Sequence, residues 1–282
     1  MKMLFCSGKA AHLRLAASAC LLFACFAGIC AAGDATDTGD SSLKLFNRGN
    51  VFYERGEYDA AIGEYEKILA RGEESGAVCY NLADSYFKSG QLGRAILNYE
   101  RALELLPRDA DVNANYRFAR ARIKGKIVPE KGFWAWWALR VYDRNFTVDE
   151  LTMLSSGMYV FALLFLTVAL IRVNGRTYFL AGTALLVVFI VFNSAVIWHK
   201  YDRMKTGGVM VKSRVEAMFG PFESATKFFD LYEGMRVDVL KKKEDWYKVR
   251  RADGKAGWVR EDTVEKLQGY GNDPAPRAML KM

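Results

Sequence analysis

The chain is 282 residues long and carries 40 Lys and Arg against 32 Asp and Glu, a formal net charge of +8. Three of the cations lie in the first 32 residues, which contain no acid, so the remaining chain carries 37 cations against 32 acids, or +5. Such a mild excess does not favour a nucleic-acid ligand. Four of the five cysteines lie in the same 32 residues, and Cys79 alone cannot form an intrachain disulfide in the rest of the chain.

The first 32 residues have the composition of a secretory signal. Three cations come first, and an apolar run follows at residues 15–32, before the first acids. The small residue Ala32 precedes the expected cleavage site, which leaves residues 33–41 as a linker. A lipoprotein signal is the less favoured alternative, because the residues around Cys20 and Cys25 fit it poorly.

Two consecutive segments, residues 42–75 and 76–109, repeat each other with a period of about 34 residues. Small, aromatic and aliphatic residues recur in register, and a glycine marks the middle of each segment. The matched pairs are Gly49 and Ala83, Tyr53 and Phe87, Gly56 and Gly90, Ala61 and Ala95, Tyr65 and Tyr99, and Leu69 and Leu103. This pattern resembles the tetratricopeptide repeat, which implies two antiparallel helices per segment, stacked as an all-α solenoid.

A further helical pattern in the same phase occupies about residues 109–124, with Val112, Tyr116 and Ala119 on one face. Stacked repeats need a terminal cap. We therefore expect residues 42–126 to form two repeats and a capping helix.

The resemblance also implies which side chains line the concave, ligand-binding face of the repeats. The lysine that a carboxylate-binding repeat needs is Phe46 here, so we expect an apolar helix or strand as the ligand rather than a free acidic C-terminus. The alternative is that this aromatic row packs on the preceding chain. The candidate positions are Phe46, Asn50, Tyr53, Tyr80, Asp84 and Phe87.

Two apolar stretches, residues 151–171 and 178–198, carry no charge, and each has the length of a membrane span. At a rise of about 1.5 Å per residue, each helix would span about 30 Å, the thickness of the hydrocarbon core. We expect both to cross the membrane as a transmembrane hairpin closed by a short basic loop at residues 172–177. The alternative is a pair of buried core helices.

The orientation follows from the signal and the even number of spans. A basic N-terminus held inside would put the repeats outside, the loop at residues 172–177 in the cytoplasm and the C-terminal domain outside. Five cations that follow the second stretch favour the opposite orientation, and they are Lys200, Arg203, Lys205, Lys212 and Arg214.

Residues 127–150 connect the repeats to the first apolar stretch. They hold the aromatic run Phe133-Trp134-Ala135-Trp136-Trp137, followed by Arg140 and Arg144. This composition is typical of an amphipathic helix that lies in the membrane interface. Packing of the tryptophans on the last repeat is an equal alternative.

From residue 209 to 267, apolar and polar residues alternate in short runs separated by turn residues. The pattern predicts a small all-β barrel, flanked by a linker at residues 199–208 and a disordered tail at 268–282. Three motifs resemble the elements of bacterial SH3 domains in order and spacing: Glu233-Gly234, Trp246-Tyr247-Lys248-Val249 and Gly257-Trp258-Val259. The resemblance implies an aromatic groove that binds cell-wall peptides or protein segments.

Alternation along the strand that begins at Trp246 assigns side chains to the two faces of the barrel wall. If Tyr247 and Val249 point into the barrel, Trp246 points outward and is available as a ligand platform. The alternative is that a loop covers this tryptophan. The candidate groove residues are Tyr232, Trp246, Lys248, Arg250 and Trp258.

The sequence offers no recognisable catalytic site. Its two histidines are His12, in the signal, and His199, at the end of the second apolar stretch, and no Cys or His cluster has the spacing of metal ligands. Cys79 occupies a helix-packing position. We therefore expect a protein that is not an enzyme and that holds no metal or cofactor.

The whole order of modules resembles the BatE-type proteins of bacterial aerotolerance (Bat) operons. The resemblance implies partners among membrane-anchored von Willebrand factor A domain proteins and, through them, a MoxR-type ATPase, in envelope integrity or oxidative-stress tolerance. The implied location is the bacterial inner (cytoplasmic) membrane, multi-pass, with the repeats and the SH3 domain on the extracytoplasmic side.

Three functions follow from these observations. The protein is an adaptor that holds protein partners at the membrane, or a cell-wall sensor whose SH3 domain binds peptidoglycan. A wall-remodelling enzyme is a remote third possibility.

Overall fold

The computed structural model describes residues 41–125, 142, 144–171 and 175–268. The predicted signal, the linker up to residue 40, the aromatic run at 133–137 and the tail from residue 269 lie outside the described residues. Within them, residues 158–189 form one compact unit, and residues 41–157 together with 190–268 form a second.

The repeat segment is helical throughout. Its five helices are α1 (Ser42–Glu54), α2 (Tyr58–Ala70), α3 (Gly76–Lys88), α4 (Leu92–Leu105) and α5 (Ala110–Ala121). Side-chain oxygens of Ser41, Ser75 and Asp109 accept the first free backbone N–H groups of α1, α3 and α5, as helix-capping residues do. Gly56 and Gly90 adopt φ of 78° and 85° between the two helices of each pair, a conformation that favours glycine.

The core of the repeats is built at the positions that recur in the two segments. Ala61 and Ala95 are fully buried, and Tyr65 and Tyr99 fill the space between neighbouring helices. The small residues let the helices approach closely while the tyrosines supply most of the buried area. The predicted repeat solenoid with its capping helix is thereby confirmed.

Two long apolar helices follow, α6 (Val148–Ile171) and α7 (Arg176–Thr206). The start of α6 is closed by a capping box, in which the Thr147 hydroxyl accepts the Glu150 N–H and the Glu150 carboxylate accepts the Thr147 N–H. Both helices are long and apolar enough to be candidate membrane spans.

The predicted linker at residues 199–208 is wrong. Residues 199–206 continue α7, and Gly207 begins the first strand. The polar composition of this segment suggested a loop, whereas its side chains Lys200 and Arg203 pair with an acid of the repeats.

The C-terminal domain, which we call the barrel (residues 207–267), is an antiparallel sheet in the order β3-β2-β6-β5-β4-β1-β7. A 3₁₀ turn (Glu261–Thr263) precedes the last strand. The strands are β1 (Gly207–Met210), β2 (Arg214–Met218), β3 (Lys227–Tyr232), β4 (Arg236–Lys243), β5 (Trp246–Arg251), β6 (Ala256–Arg260) and β7 (Val264–Lys266). The core of the barrel contains Met210, Leu231, Val237, Tyr247, Val249 and Val259.

Candidate binding surfaces

The concave face of the repeats is organised by a hydrogen-bonded position that recurs in each repeat. In the first repeat, Asn50 Oδ1 accepts the hydroxyl of Tyr65 at 2.6 Å and the side-chain amide of Asn81 at 3.0 Å. Each of these bonds links Asn50 to a different helix. Asn50 therefore joins α1 both to its partner α2 and to the next repeat.

The second repeat reproduces the same arrangement one period later. Asp84 accepts the hydroxyl of Tyr99 and the side-chain amide of Asn115, the latter at 3.2 Å. Asn115 belongs to α5, so this hydrogen bond joins the capping helix to α3. The equivalent hydrogen bond, between Asn81 and Asn50, joins α3 to α1. Asn50 and Asp84, both predicted to touch a ligand, thus serve first to hold the repeats together.

The four aromatic candidates lie beside these hydrogen bonds and are partly exposed. Their rings pack on other rings of the repeats: Phe46 on Tyr65 at 5.9 Å, Tyr80 on Tyr99 at 6.3 Å, Tyr53 on Tyr58 at 5.5 Å and Phe87 on Phe118 at 5.7 Å between centroids. Ligand binding by the six predicted residues stays a prediction. The alternative contact with the preceding chain concerns residues outside the described part.

Burial controls the charge on this surface. It raises the pKa of Asp84, although the hydrogen bonds from Tyr99, Asn115 and Tyr80 act in the opposite direction. Burial also raises the pKa of Tyr65 and of Tyr80 to about 12. The tyrosines therefore remain protonated donors at neutral pH.

Two residues at the end of this surface, Phe118 and Arg122, were not among the predicted site residues. Phe118 is 56% exposed and follows Asp84 by one repeat period, so the repeat register could have located it. The Arg122 guanidinium lies 4.8 Å from the centre of the Phe118 ring and 5.2 Å from that of Phe87.

In the barrel, the register of β5 and β6 confirms that Tyr247 and Val249 point into the core. Trp246 lies opposite Arg260, and Lys248 lies opposite Trp258. Because side chains alternate along a strand, these residues and Arg250 share the outer face of the two strands. Arg250 forms an ion pair with Asp238 at 3.1 Å.

The expectation that Trp246 is an exposed platform is wrong. The side chain is only 9% exposed, and the Arg260 guanidinium lies 5.7 Å from its ring centre. Alternation along a strand assigns a side chain to one face of the sheet, but it does not show what covers that face. Trp246 lines an open depression of about 260 Å³, together with Lys212, Arg214, Val215, Glu216, Met218, Glu223, Arg260 and Thr263.

Tyr232 does not join the other groove candidates. Its ring packs on Gly125, where an added Cβ would lie 2.8 Å from the ring, and Ile123 at the end of the repeats contacts the barrel core. The sequence-predicted groove is thus not assembled as one site of five residues. Ligand binding on the face that carries Trp246 and Trp258 stays a prediction.

The outer face of α4 is covered by the barrel, an arrangement that the sequence did not predict. The Gly93 N–H donates to the Glu233 carboxylate at 2.9 Å, and an added Cβ on Gly93 would lie 2.4 Å from the Met210 carbonyl oxygen. Arg94 forms an ion pair with Glu265 at 2.8 Å. The two backbones therefore touch where only glycine fits.

Further along α4, polar and apolar contacts continue this junction. Arg101 donates to the backbone carbonyl oxygens of Lys266 and Leu267, at 2.9 and 2.8 Å. Glu100 forms an ion pair with Arg236 at 2.9 Å. Val209 and Leu267 of the barrel belong to the same buried cluster as the core of the repeats.

The last turns of α7 are held by the end of α4. Lys200, which is 1% exposed, lies 2.8 Å from the Glu104 carboxylate and donates to the Phe146 carbonyl oxygen at 2.9 Å. Arg203 also pairs with Glu104, at 2.9 Å. Glu104 is thus the point where the repeats meet the C-terminal end of α7.

Comparison with known protein families identifies the two domains that flank the apolar helices in the chain. The tetratricopeptide repeat family matches residues 46–110, and the bacterial SH3 domain family matches residues 220–265. The chain therefore contains tetratricopeptide repeats and a bacterial SH3 domain. No curated protein matches the chain. The described residues contain no group of three His, Cys, Asp or Glu side chains that could hold a metal ion.

Proposed function

We propose that the protein is a membrane-anchored adaptor of the bacterial cell envelope, whose repeats and SH3 barrel hold protein partners. Tetratricopeptide repeats and bacterial SH3 domains both serve recognition, and two candidate membrane spans separate them in the chain. The observation that carries the proposal is the junction along α4. It makes the two recognition domains one body, so that partners bound to each would be held at a fixed separation.

The contact between repeats and barrel also supports a topology in which both lie on the same side of the membrane. We propose that this is the extracytoplasmic side, as the signal predicts. Four of the five cations that favour the opposite orientation have structural partners: Lys200 and Arg203 pair with Glu104, Lys212 with Asp262 and Arg214 with Asp230. Their presence after the second apolar stretch has a reason other than retention in the cytoplasm.

Within this function, we propose that the protein works in a Bat-type complex linked to aerotolerance or envelope stress. The order of modules supports it, and the implied partners are membrane-anchored von Willebrand factor A domain proteins and, through them, a MoxR-type ATPase. Crosslinking in native membranes, purification of the protein and identification of bound chains tests the proposal. We expect von Willebrand factor A membrane proteins in the crosslinked fraction, and their absence from a fraction that contains the protein itself would contradict the Bat assignment.

The second candidate is a cell-wall sensor, and the match to bacterial SH3 domains favours it. The depression beside Trp246 is lined by three cations and two acids, and each cation forms an ion pair that a carboxylate group of a wall peptide would have to replace. Co-sedimentation of the full chain with purified peptidoglycan tests this candidate. Binding that is lost in Arg214→Gln and kept in Lys255→Gln, an exposed cation outside the depression, would favour the sensor over the adaptor.

We further propose that the protein has no catalytic activity. Cys79 is fully buried in the core of the repeats, and burial raises the pKa of its thiol to about 12, so it is unsuited to act as a nucleophile. The remote alternative, a wall-remodelling enzyme, is tested by incubating the protein with purified peptidoglycan. Release of soluble wall fragments would contradict the proposal.

A further inference from the structure

The end of the concave face next to α5 carries an arginine supported by two aromatic rings. Arg122 is the C-cap residue of α5, and its backbone N–H donates to the carbonyl oxygens of Ala119 and Arg120. Its side chain is held over Phe118 and Phe87, at the distances given above. A guanidinium in this position is attracted by the negative face of each ring and keeps its hydrogen-bond donors free at its edge.

Charge distinguishes this end of the surface from α4 and the junction. Cations on α4 and at the junction pair with acids, as Arg94 does with Glu265 and Arg236 with Glu100. By contrast, α5 and the residues after it carry four exposed cations with no carboxylate at ion-pair distance among the described residues. They are Arg117, Arg120, Arg122 and Lys124.

From this geometry we propose that Arg122 binds an acidic side chain of a partner polypeptide, while an adjacent apolar side chain of the same segment packs on Phe118. The inference rests on the proposed adaptor function and specifies the chemistry of one partner. The Phe87 ring, 5.7 Å from that of Phe118 between centroids, extends the apolar surface for the rest of the segment. Positive charge at one end of that surface complements a negative charge at the matching end of the ligand.

The same surface disfavours a polyanion. The Asp84 side chain lies in the middle of the concave face, where it bridges Tyr99 and Asn115. A chain of closely spaced negative charges would bring one of them beside Asp84. A single acid next to an apolar residue avoids this repulsion, so the ligand is a mixed segment and not an acidic tail.

Selection of ligands from a phage-displayed library of random peptides tests the proposal. The target is the full chain in detergent micelles, as parent, as Arg122→Gln and as the matched control Arg55→Gln. Arg55 is the C-cap residue of α1 and is exposed, and it has no ring contact among the described residues. We expect the parent to enrich peptides with Asp or Glu next to an apolar residue, Arg55→Gln to enrich the same class, and Arg122→Gln to lose it.

The best selected peptide then gives a double-mutant cycle by calorimetry. We expect about a tenfold weaker affinity for Arg122→Gln, and about the same loss when the acid of the peptide becomes an amide, because a charge-assisted hydrogen bond contributes roughly this much. Combining the two changes should add no further loss. A Phe118→Ala variant, checked for an unchanged melting temperature, should also bind more weakly.

Three results would overturn the inference: no enrichment, enrichment without acids, or an acid preference that survives Arg122→Gln. Salt-sensitive binding to phosphatidylglycerol vesicles in the absence of peptide selection would instead assign these cations to an anionic lipid surface. If von Willebrand factor A proteins still crosslink to Arg122→Gln as they do to the parent, the adaptor function stands and only this contact is wrong.

Discussion

The side chain that accepts the recurring hydrogen bonds of the repeats is an amide, Asn50, in the first repeat and a carboxyl, Asp84, in the second. Asn50 and Asp84 receive the same two bonds, from a tyrosine of the partner helix and an asparagine of the next helix. The amide oxygen provides these bonds without a charge, whereas the carboxylate has to be desolvated to do so. One chain thus contains both versions of the same site.

This pair gives a pH-dependent prediction. Because burial raises the pKa of Asp84 in the folded state, the protonated folded form is favoured. The contribution to stability is fully present below the unfolded pKa of about 4, and it is lost as the pH rises through the raised folded value. We expect the melting temperature of Asp84→Asn at pH 7 to equal or exceed that of the parent. The variant should also lose the part of the pH dependence of stability that Asp84 contributes.

The matched variant is Asn50→Asp, which introduces a second carboxyl at the equivalent site. It should melt below the parent at pH 7, and the difference should shrink as the pH falls towards 4. Thermal melts of the full chain in detergent, measured from pH 4 to 8, check both variants. A clear loss of stability for Asp84→Asn at pH 7 would show that its charge is required.

A second prediction at this scale separates the two outward-facing tryptophans of the barrel. Trp246 is buried beneath Arg260, so Trp246→Ala should reduce the free energy of unfolding by about 3–5 kcal/mol, as truncations of buried aromatic residues do. Trp258 lies on the same face but is partly exposed, and Trp258→Ala should have a much smaller effect. Similar melting losses in both variants would contradict the burial of Trp246.

At the scale of helices and strands, periodicity predicted most of the architecture. The repeat period located α1 to α5 and their buried positions, because stacked repeats impose the same packing at each turn of the array. The alternation of apolar and polar residues located the strands, and it predicted which side chains of β5 face the core. The bounds were less accurate: α7 passes the predicted end at residue 198 because Lys200 and Arg203, which read as linker residues, bind Glu104.

The junction on α4 could not be predicted from the sequence. Arg94 and Arg101 have the pattern of a solvent-exposed helix face, and their partners lie in and just after the last strand of the barrel, far along the chain. The sequence left open whether Trp246 is exposed or covered for the same reason. Local patterns reveal the period of an element but not which distant surface covers it.

The contact between Glu104 and Lys200 gives a prediction for the end of α7. Glu104→Gln would remove the carboxylate that lies 2.8 Å from the buried Lys200 ammonium, and breaking one partner of a buried pair costs about 3–5 kcal/mol. The control is Lys212→Gln, which breaks the exposed pair with Asp262 and should cost at most about 1 kcal/mol. Equal melting temperatures for the two variants would mean that Lys200 does not depend on Glu104.

At the scale of the whole molecule, the chain leaves the repeats, passes through two apolar helices and returns as a barrel that docks on the repeats. The junction joins residues far apart in sequence, and the bacterial SH3 domain and the repeats thereby present their surfaces from a single body. For an adaptor, this arrangement fixes the distance between two bound partners. In the proposed membrane topology, both domains therefore lie on the same side.

Cysteine labelling of that topology tests the central claim most directly. Single substitutions Glu57→Cys in the repeats, Lys255→Cys in the barrel and Asn174→Cys in the short loop are treated with a membrane-impermeant maleimide in spheroplasts and after lysis. The parent chain measures the background, because Cys79 is buried and its thiol has a pKa of about 12. We expect Glu57→Cys and Lys255→Cys to be labelled in intact spheroplasts and Asn174→Cys only after lysis, whereas labelling of Lys255→Cys only after lysis would place the two domains on opposite sides and contradict the account.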